Sequence, residues 1–294
     1  MCRSKEHLYC KFLAQPKVRT PKNRNANEDP YEDQAVIDTH CHLTNPQLFS
    51  RVNEVIDDAF QVGVKVMITV ATDGEDATTA MKLAGRDDRI YFSSGIHPLH
   101  ADGAWNWELV QDAARDQRCV AWGELGLDRH HSEPPFHLQM KLLEEHLALI
   151  ERADGDTRPI IVHCRKAVDD LLPIFEASSI SGNRFVFHCF TETEDDARKI
   201  LDFGSMISFT GVVTYNNATE VAAAARIVPL DRMMVETDAP YLSPEPVRKT
   251  RPNEPKHIIH TSACLASIRG DDPVAFDQQL DENAISFFNI SVPS

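Results

Sequence analysis

The first residues that could do chemistry are two histidines at the end of a short apolar run. Residues 35–38 read as a buried strand that leads into His40-Cys41-His42. Side chains alternate along an extended backbone, so His40 and His42 face one way and Cys41 faces the other. Two converging imidazoles make half of a divalent-metal site. Such pairs also arise by chance, so the prediction depends on ligands elsewhere in the chain.

Further candidate ligands stand where later apolar runs end. They are two more histidines and two carboxylates: His163, His188, Glu124 and Asp238. Each has a simple structural explanation when taken alone, such as a buried imidazole or, for Asp238, a helix cap. A buried carboxylate without a cationic partner is costly, which makes Glu124 harder to explain in that way. Together the six residues predict a metal centre.

Six ligands exceed what one catalytic ion needs if it is to keep positions open for water and substrate. They suit two divalent ions that share a bridging carboxylate. The first ion is assigned to His40, His42, Asp238 and the bridging Glu124. The second ion is assigned to Glu124, His163 and His188. Water activated between the ions would attack the substrate, with Asp238 as general base beside Glu124. The residues leave Mg²⁺, Zn²⁺ and Mn²⁺ open.

Three neighbouring residues are expected to bind substrate. Arg165 lies two positions after His163 and so faces the same way, where it could clamp a phosphate or carboxylate. His97 ends another apolar run and could donate to a phosphate oxygen, although a structural role is equally open. Tyr241 completes this set. The cysteines next to the ligands (41, 164 and 189) are expected to point away from the metal centre.

Positioning these residues requires a regular alternation of strands and helices. Eight apolar runs are expected to be strands: 35–38, 64–70, 90–95, 119–123, 159–163, 184–188, 206–210 and 233–236. Helical patterns occupy 46–62, 76–84, 105–115, 134–152, 166–177, 193–203, 218–226, 256–269 and 272–287. Apolar strands separated by helices indicate a parallel sheet covered on both faces. Eight such units predict an α/β fold, a (β/α)8 TIM-type barrel. No Gly-x-Gly-x-x-Gly follows a strand, which disfavours a dinucleotide-binding fold.

The barrel is expected to form a single domain over residues 35–294, after a short disordered basic tail at 1–34. An organelle-targeting peptide and an over-extended start codon are the alternatives for the tail. Residues 1–27 hold seven basic residues against one acidic residue, a charge of +6, so the total of −15 leaves −21 for the rest. An acidic body argues against a broad footprint on duplex DNA. It permits a small phosphodiester substrate held by bound cations.

Composition places the chain among globular proteins, with 42 % hydrophobic and 26 % charged residues. No apolar run approaches the roughly 20 residues that span a bilayer, so no membrane partner is expected. The seven cysteines are scattered, without a Cys-x-x-Cys pair or a secretory signal. Reduced thiols and a cytoplasmic location are therefore expected. The protein is expected to be a monomer or a weak dimer.

Six sequence blocks around the candidate ligands resemble the TatD family of metal-dependent hydrolases, in the amidohydrolase superfamily. They are IDTHCH (37–42), GIHP (95–98), GELGLD (123–128), PIIVHCR (159–165), FHCFT (187–191) and ETDAPYL (236–242). SFTGVVT (208–214) and NEP (253–255) match further blocks, so the resemblance covers about residues 35–290. It implies a TIM-type barrel with two divalent ions and metal binding by the same six residues. Glu192 and the segment Arg129-His130-His131 depart from the family pattern.

The resemblance also implies a deoxyribonuclease, a phosphodiesterase of the 3′-to-5′ exonuclease type that favours single strands. DNA, single-stranded or at its 3′ ends, would then be the substrate. An amide or ester hydrolase on the same metal core is the alternative, for example a D-aminoacyl-tRNA deacylase. Glu192 and the acidic body keep that alternative open. A third hypothesis is a non-catalytic metal-bound scaffold or nucleic-acid-binding module. Glu124 and Asp238 count against it, because a scaffold needs no base.

Overall fold

Eight parallel strands pair in chain order and are separated by helices. A computed structural model of the chain describes residues 36–153 and 155–293. The strands are β1 (Asp38–Cys41), β2 (Met67–Thr69), β3 (Ile90–Ser94), β4 (Cys119–Asp128), β5 (Ile160–Arg165), β6 (Phe185–Phe187), β7 (Met206–Phe209) and β8 (Met233–Val235). The arrangement is a nearly closed TIM barrel, which confirms the predicted fold class. The predicted tail at 1–34 lies outside the described residues, and the domain boundary at 35 stays a prediction.

Helices cover the outside of this sheet. They are α1 (Pro46–Phe49), α2 (Val52–Gln61), α3 (Gly74–Ala84), α4 (Trp107–Ala114), α5 (Phe136–Arg152), α6 (Val168–Ala177), α7 (Glu194–Asp202), α8 (Thr219–Ile227), α9 (Ile258–Arg269) and α10 (Pro273–Phe288). Side-chain caps fix several starts, because the first N–H groups of a helix lack partners within it. Asp73 caps α3, Thr193 and Asp196 form a capping box on α7, and Asp272 caps α10 before Pro273.

Several boundaries differ from the sequence prediction. The expected helix at 46–62 is two helices, because the chain turns at Ser50 and Arg51 between α1 and α2. Strand β1 starts later than expected and contains His40, with His42 just beyond its end. Strand β4 runs five residues past the predicted end at 123, so Glu124 lies inside a strand and not after it. The prediction that Glu124 follows a strand end is therefore wrong.

Gly123 and Gly126 explain the length of β4. The register between β4 and β5 shifts between Trp122 and Leu125, so the strand bulges and continues beyond the irregularity. Gly126 has φ +146°, and a Cβ there would lie 2.0 Å from the carbonyl oxygen of His163. Only glycine fits such an approach of two backbones. Glycines that look like strand ends in the sequence thus permit a bulge instead.

Apolar side chains fill the space inside and outside the barrel wall. Alternate residues of the strands, such as Val66, Ile68 and Val70, pack in an inner cluster, while Met67 belongs to the outer one. The inner cluster also contains Phe288 from the end of α10 and Ile290 after it. Asp281 of α10 accepts a 2.8 Å hydrogen bond from the N–H of Ile37. Helix α10 therefore closes the end of the barrel that lies opposite the carboxyl ends of the strands.

The seam between the first and last strands is closed by residues just beyond β8. The N–H of Asp238 donates to His40 O at 2.9 Å, and the N–H of His42 donates to Ala239 O at 2.7 Å. Thr237 donates to Asp38 through its backbone N–H and its hydroxyl, at 3.0 and 2.6 Å. The same hydrogen bonds thus close the barrel and bring the candidate ligands of its first and last strands together.

Candidate active site

The six predicted ligands meet at the carboxyl ends of the strands. All six are buried or nearly so, and Glu124 is only 1 % exposed. Strand β4 supplies Glu124 and β5 supplies His163, while His188 and Asp238 follow β6 and β8. The functional face of a TIM barrel is this end. The structure therefore brings the predicted set together in the expected place.

The first group of ligands has the spacing of a metal site. The Nε2 atoms of His40 and His42 lie 3.3 Å apart, and His42 Nε2 lies 3.3 Å from Asp238 Oδ1. His40 Nε2 lies 3.4 Å from Glu124 Oε2 and 3.8 Å from Asp238 Oδ1. A tetrahedral ion with bonds of about 2.0–2.1 Å holds its ligand atoms roughly 3.3–3.4 Å apart. His40, His42 and Asp238 therefore form a group that could hold a divalent cation, with Glu124 beside it.

The second group of ligands surrounds the other oxygen of Glu124. Glu124 Oε1 lies 2.7 Å from His163 Nδ1 and 2.6 Å from His188 Nε2. His163 Nδ1 and His188 Nε2 are 3.5 Å apart. Glu124 therefore directs one carboxylate oxygen toward each group, and its contacts in the second group have the lengths of hydrogen bonds.

Hydrogen bonds decide which imidazole nitrogen each neutral ring presents. His42 Nδ1 donates to Val70 O at 2.8 Å, and His163 Nε2 donates to Asp128 Oδ2 at 3.1 Å. In the neutral form, the other nitrogen of each ring therefore carries the lone pair that can bind a cation, as outer hydrogen bonds to metal-binding histidines usually ensure. His97 is the opposite case, because its Nδ1 accepts from Leu99 N at 3.0 Å. Its Nε2 therefore carries the hydrogen and acts as a donor in the site.

Two orienting carboxylates escaped the sequence analysis. Asp128 accepts from His163, and Glu236 lies with Oε1 3.4 Å from His188 Nδ1 and accepts from Cys189 N at 2.6 Å. Both carboxylates are 1 % exposed. The period of two along a strand could have found them, because Asp128 is four residues after Glu124 and Glu236 is two before Asp238. Asp128 holds the His163 ring in place, while Glu236 adds negative charge beside His188 without a hydrogen bond to its ring.

Charges in this cluster compensate one another. Burial opposes a positive charge on His42, but its hydrogen bond to Asp238 outweighs burial and raises the pKa of His42 to about 9. Burial alone would raise the pKa of Glu124, yet the charge of His188 and the hydrogen bonds from His163 and His188 hold it well below its ordinary value. Burial lowers the pKa of His97 to about 4, so that ring is neutral. Protons thus neutralise the carboxylates at positions where a cation would compete with them.

A cavity of about 1080 Å³ opens above the cluster. The three predicted substrate-binding residues, His97, Arg165 and Tyr241, line this cavity. Lys166, Glu192 and several acidic residues of the α3 region line it as well. Arg165 is exposed, and no carboxylate among residues 36–153 and 155–293 forms a salt bridge with it. Tyr241 is 46 % exposed, and its hydroxyl accepts from Asn45 Nδ2 at 3.2 Å. Cationic, aromatic and hydrogen-bonding groups therefore face one space beside the candidate ligands.

The structure confirms the predicted orientation for Cys41, whereas Cys164 and Cys189 line the cavity. Cys41 is buried, with Sγ 3.6 Å from Ile68 O in the wall, and Cys164 is buried as well. Cys189 lines the cavity, but its thiol contacts Thr210 Oγ1 at 3.6 Å. None of the three thiols belongs to a group of candidate metal ligands among the described residues.

A TIM barrel with imidazoles and carboxylates gathered at its mouth defines a class of metal-dependent barrel hydrolases. The family model described as TatD related DNase matches residues 37–289. The chain belongs to the TatD family of metal-dependent hydrolases. Within the described residues, no helix has the length and apolar composition to cross a membrane.

Similar proteins cover nearly the same region. An uncharacterized metal-dependent hydrolase of Escherichia coli K12, YcfH, is 34 % identical over 258 residues, which are 87 % of this chain and 96 % of that protein. The 3′-5′ ssDNA/RNA exonuclease TatD of Klebsiella pneumoniae is 31 % identical, over 87 % of this chain and 99 % of its own length. The crystal structure of the TatD homologue YjjV of E. coli K12 superposes on this chain with a TM-score of 0.81 and 28 % identity. The match covers 88 % of this chain and 100 % of that structure.

Proposed function

We propose that the protein is a deoxyribonuclease of the 3′-to-5′ exonuclease type that uses two divalent cations. The observation that carries the proposal is the division of Glu124 between two groups of histidines. One carboxylate oxygen lies 3.4 Å from His40 Nε2, and the other lies within 2.7 Å of His163 and His188. Paired cations suit the displacement at a phosphodiester, which develops charge on attacking and leaving oxygens.

Each residue of the cluster has a role in this reaction. His40, His42, Asp238 and Glu124 would hold one cation, and Glu124, His163 and His188 the other. When bound, the cations supply positive charge for the phosphoryl oxygens and lower the pKa of the attacking water. Asp238 lines the cavity and would accept the proton that the water loses. Burial of the cluster strengthens these electrostatic effects.

The cavity supports a nucleic-acid substrate. Arg165 offers a guanidinium fork that matches a phosphate group. The exposed ring of Tyr241 offers a surface on which a base can stack. His97 Nε2 offers an N–H toward the cluster. The name of the Klebsiella relative, a 3′-5′ ssDNA/RNA exonuclease, supports the same substrate class.

The test uses the full chain loaded with Mg²⁺, Mn²⁺ or Zn²⁺ and a single-stranded oligonucleotide labelled at its 5′ end. We expect stepwise shortening from the 3′ end and no shortening when a 3′ phosphorothioate blocks that end. Asp238→Asn should lower kcat by about 10³-fold or more, as loss of a general base does. Absence of cleavage with all three cations would contradict the proposal.

A second candidate is hydrolysis of an amide or ester, as in a D-aminoacyl-tRNA deacylase. The observation in its favour is the carboxylate of Glu192, which lines the cavity close to Arg165. A carboxylate repels a polyanion and attracts the amino group of an aminoacyl ester. Mischarged tRNA and a panel of amides, assayed beside the oligonucleotide, separate the two candidates.

A monomeric or weakly dimeric state and a cytoplasmic location complete the proposal. The five cysteines of the described residues, at 41, 119, 164, 189 and 264, are free thiols. Free thiols are typical of reducing compartments. Light scattering and fractionation test these two points.

A further inference from the structure

One histidine outside the ligand set is held beside the cluster by a buried carboxylate. Asp128 Oδ2 lies 2.9 Å from His131 Nδ1 and 3.1 Å from His163 Nε2. The other oxygen of Asp128 accepts the backbone N–H groups of His130 and His131 at 2.7 and 2.9 Å. Three hydrogen bonds thus fix the carboxylate of Asp128, and one of them orients the His131 ring.

The hydrogen bond to Asp128 leaves one ring nitrogen of His131 without a hydrogen-bond partner among the described residues. Because Nδ1 is bound to Asp128, Nε2 projects from the opposite side of the ring. The His131 side chain is 45 % exposed and lines the same cavity as His163 and Arg165. A carboxylate behind an imidazole is the arrangement that orients a histidine for proton transfer. The metal groups do not use this histidine.

We propose that His131 is the general acid that protonates the leaving oxygen. This inference rests on the proposed phosphodiesterase function. Water attacks phosphorus and gives its proton to Asp238. The bond from phosphorus to the leaving oxygen breaks, and that oxygen takes the electron pair and the Nε2 proton of the His131 imidazolium. The products are a nucleotide with a terminal phosphate and a strand with a free hydroxyl, while His131 is left neutral and bound to Asp128.

The chemistry of the leaving group gives this role a specific signature. An alkoxide is a poor leaving group and needs a proton in the transition state. A p-nitrophenolate is stable as an anion and needs none. An acid that acts on the leaving oxygen therefore matters for a dinucleotide and not for the p-nitrophenyl ester of thymidine 5′-monophosphate. A residue that merely positions the site matters equally for both substrates.

The experiment measures kcat for both substrates with the metal-loaded full chain and two variants. His131→Asn keeps an N–H close to the position of Nδ1, so the bond to Asp128 can persist while Nε2 is lost. His131→Phe loses both nitrogens. We expect both variants to lose about 10²-fold or more in kcat on the dinucleotide and less than about threefold on the nitrophenyl ester. His137→Gln, at an exposed position on α5 outside the cavity, is the control.

Other results overturn the inference. Equal losses on the two substrates mean that His131 positions Asp128 and His163. Full activity of His131→Asn on the dinucleotide means that Nε2 transfers no proton. If the unmodified protein cleaves neither substrate, the proposed function fails and this inference fails with it. Cleavage of both substrates with unchanged selectivity in the variants refutes the inference alone.

Discussion

The backbone N–H of Asp238 donates a 2.9 Å hydrogen bond to the carbonyl oxygen of His40, so two candidate ligands of one cation are joined through their main chains. One belongs to the first strand and the other follows the last. The spacing between them is therefore set by the barrel seam and does not depend on flexible side chains alone. Such rigid placement is what a pre-organised catalytic site needs.

Replacing His42 by alanine should remove one cation and leave the other. His42 Nε2 is close to Asp238 Oδ1 and His40 Nε2, which both belong to the first group. His40 is a poorer choice, because its ring stacks on His188 at 4.0 Å. We expect metal analysis of the purified variant to show roughly one ion fewer per chain. His137→Ala is the control, and loss of both ions would contradict the division into two groups.

Replacing Asn253 by alanine should disturb the turn that carries Asp238. Asn253 is fully buried, donates from Nδ2 to Thr237 O at 3.1 Å, and accepts from His257 Nδ1 at 3.0 Å. Leaving these partners unsatisfied should cost about 1–3 kcal/mol of unfolding free energy. We also expect kcat to fall on the order of 10-fold to 100-fold through misplacement of Asp238. Urea unfolding and steady-state kinetics measure both effects.

The exposed Asn217, before α8, provides the matched control for Asn253. Asn217→Ala should leave stability and kcat unchanged. If Asn253→Ala lowers stability but leaves kcat and metal affinity at the level of this control, Asn253 does not position Asp238.

Removing the charge of Glu192 should strengthen binding of single-stranded DNA. Its Oε1 accepts from Lys166 N at 2.7 Å, and the side chain lines the cavity with Arg165 and Lys166. Glu192→Gln can keep the hydrogen bond while it removes a negative charge from a cationic wall. We expect KM for an oligonucleotide to fall about 2-fold to 5-fold and the log–log salt slope to steepen by up to about one. Glu194→Gln, at the start of α7, is the control, and an unchanged KM and slope would refute this role.

Replacing Asp277 by asparagine should raise stability at neutral pH. Burial raises the pKa of Asp277 to about 6, despite a hydrogen bond from the Ser262 hydroxyl, and Asp281 raises it further. The folded protein thus binds this proton more tightly than the unfolded chain. Stability from this group is full below about pH 4 and is lost as pH rises through about 6.

The variant lacks that titration. We expect Asp277→Asn to be more stable than the parent by roughly 1–2 kcal/mol at pH 7.5, with no advantage near pH 4. Urea unfolding at both pH values measures the difference, with the exposed Glu282→Gln as control. An advantage of equal size at the two pH values would show that packing, and not ionisation, is responsible.

The sequence predicted the barrel because each strand is a separate apolar run whose end carries its own signal. The ligands at positions 163, 188 and 238 were predicted because each stands where an apolar run ends. His40 and His42 were predicted to share a face because side chains alternate along a single strand. The same reasoning placed the end of strand β4 too early. Its glycines 123 and 126 resemble a strand end, yet the bulge that they permit depends on how close β5 approaches.

Orienting contacts were beyond the reach of the sequence because they join distant segments. The bond between Asp128 and His163 spans 35 residues, and the one between Asn253 and Thr237 links the loop after β8 to its own start. The period of two along a strand can mark Asp128 as facing the site, but no local periodicity identifies its partner. The tautomer of His97 likewise follows from one backbone N–H, that of Leu99, whose position only the folded chain reveals.

Helix α10 closes the end of the barrel opposite the carboxyl ends of the strands, and this has a consequence for synthesis of the protein. Phe288 and Ile290 fill the interior, and Asp281 binds the N–H of Ile37 at the other end of the described chain. A ribosome must therefore deliver α10 before the strands can complete their interior. Until then, a nascent chain that already contains all eight strands still exposes apolar surface. A chaperone that binds apolar surface would bind the chain during this interval.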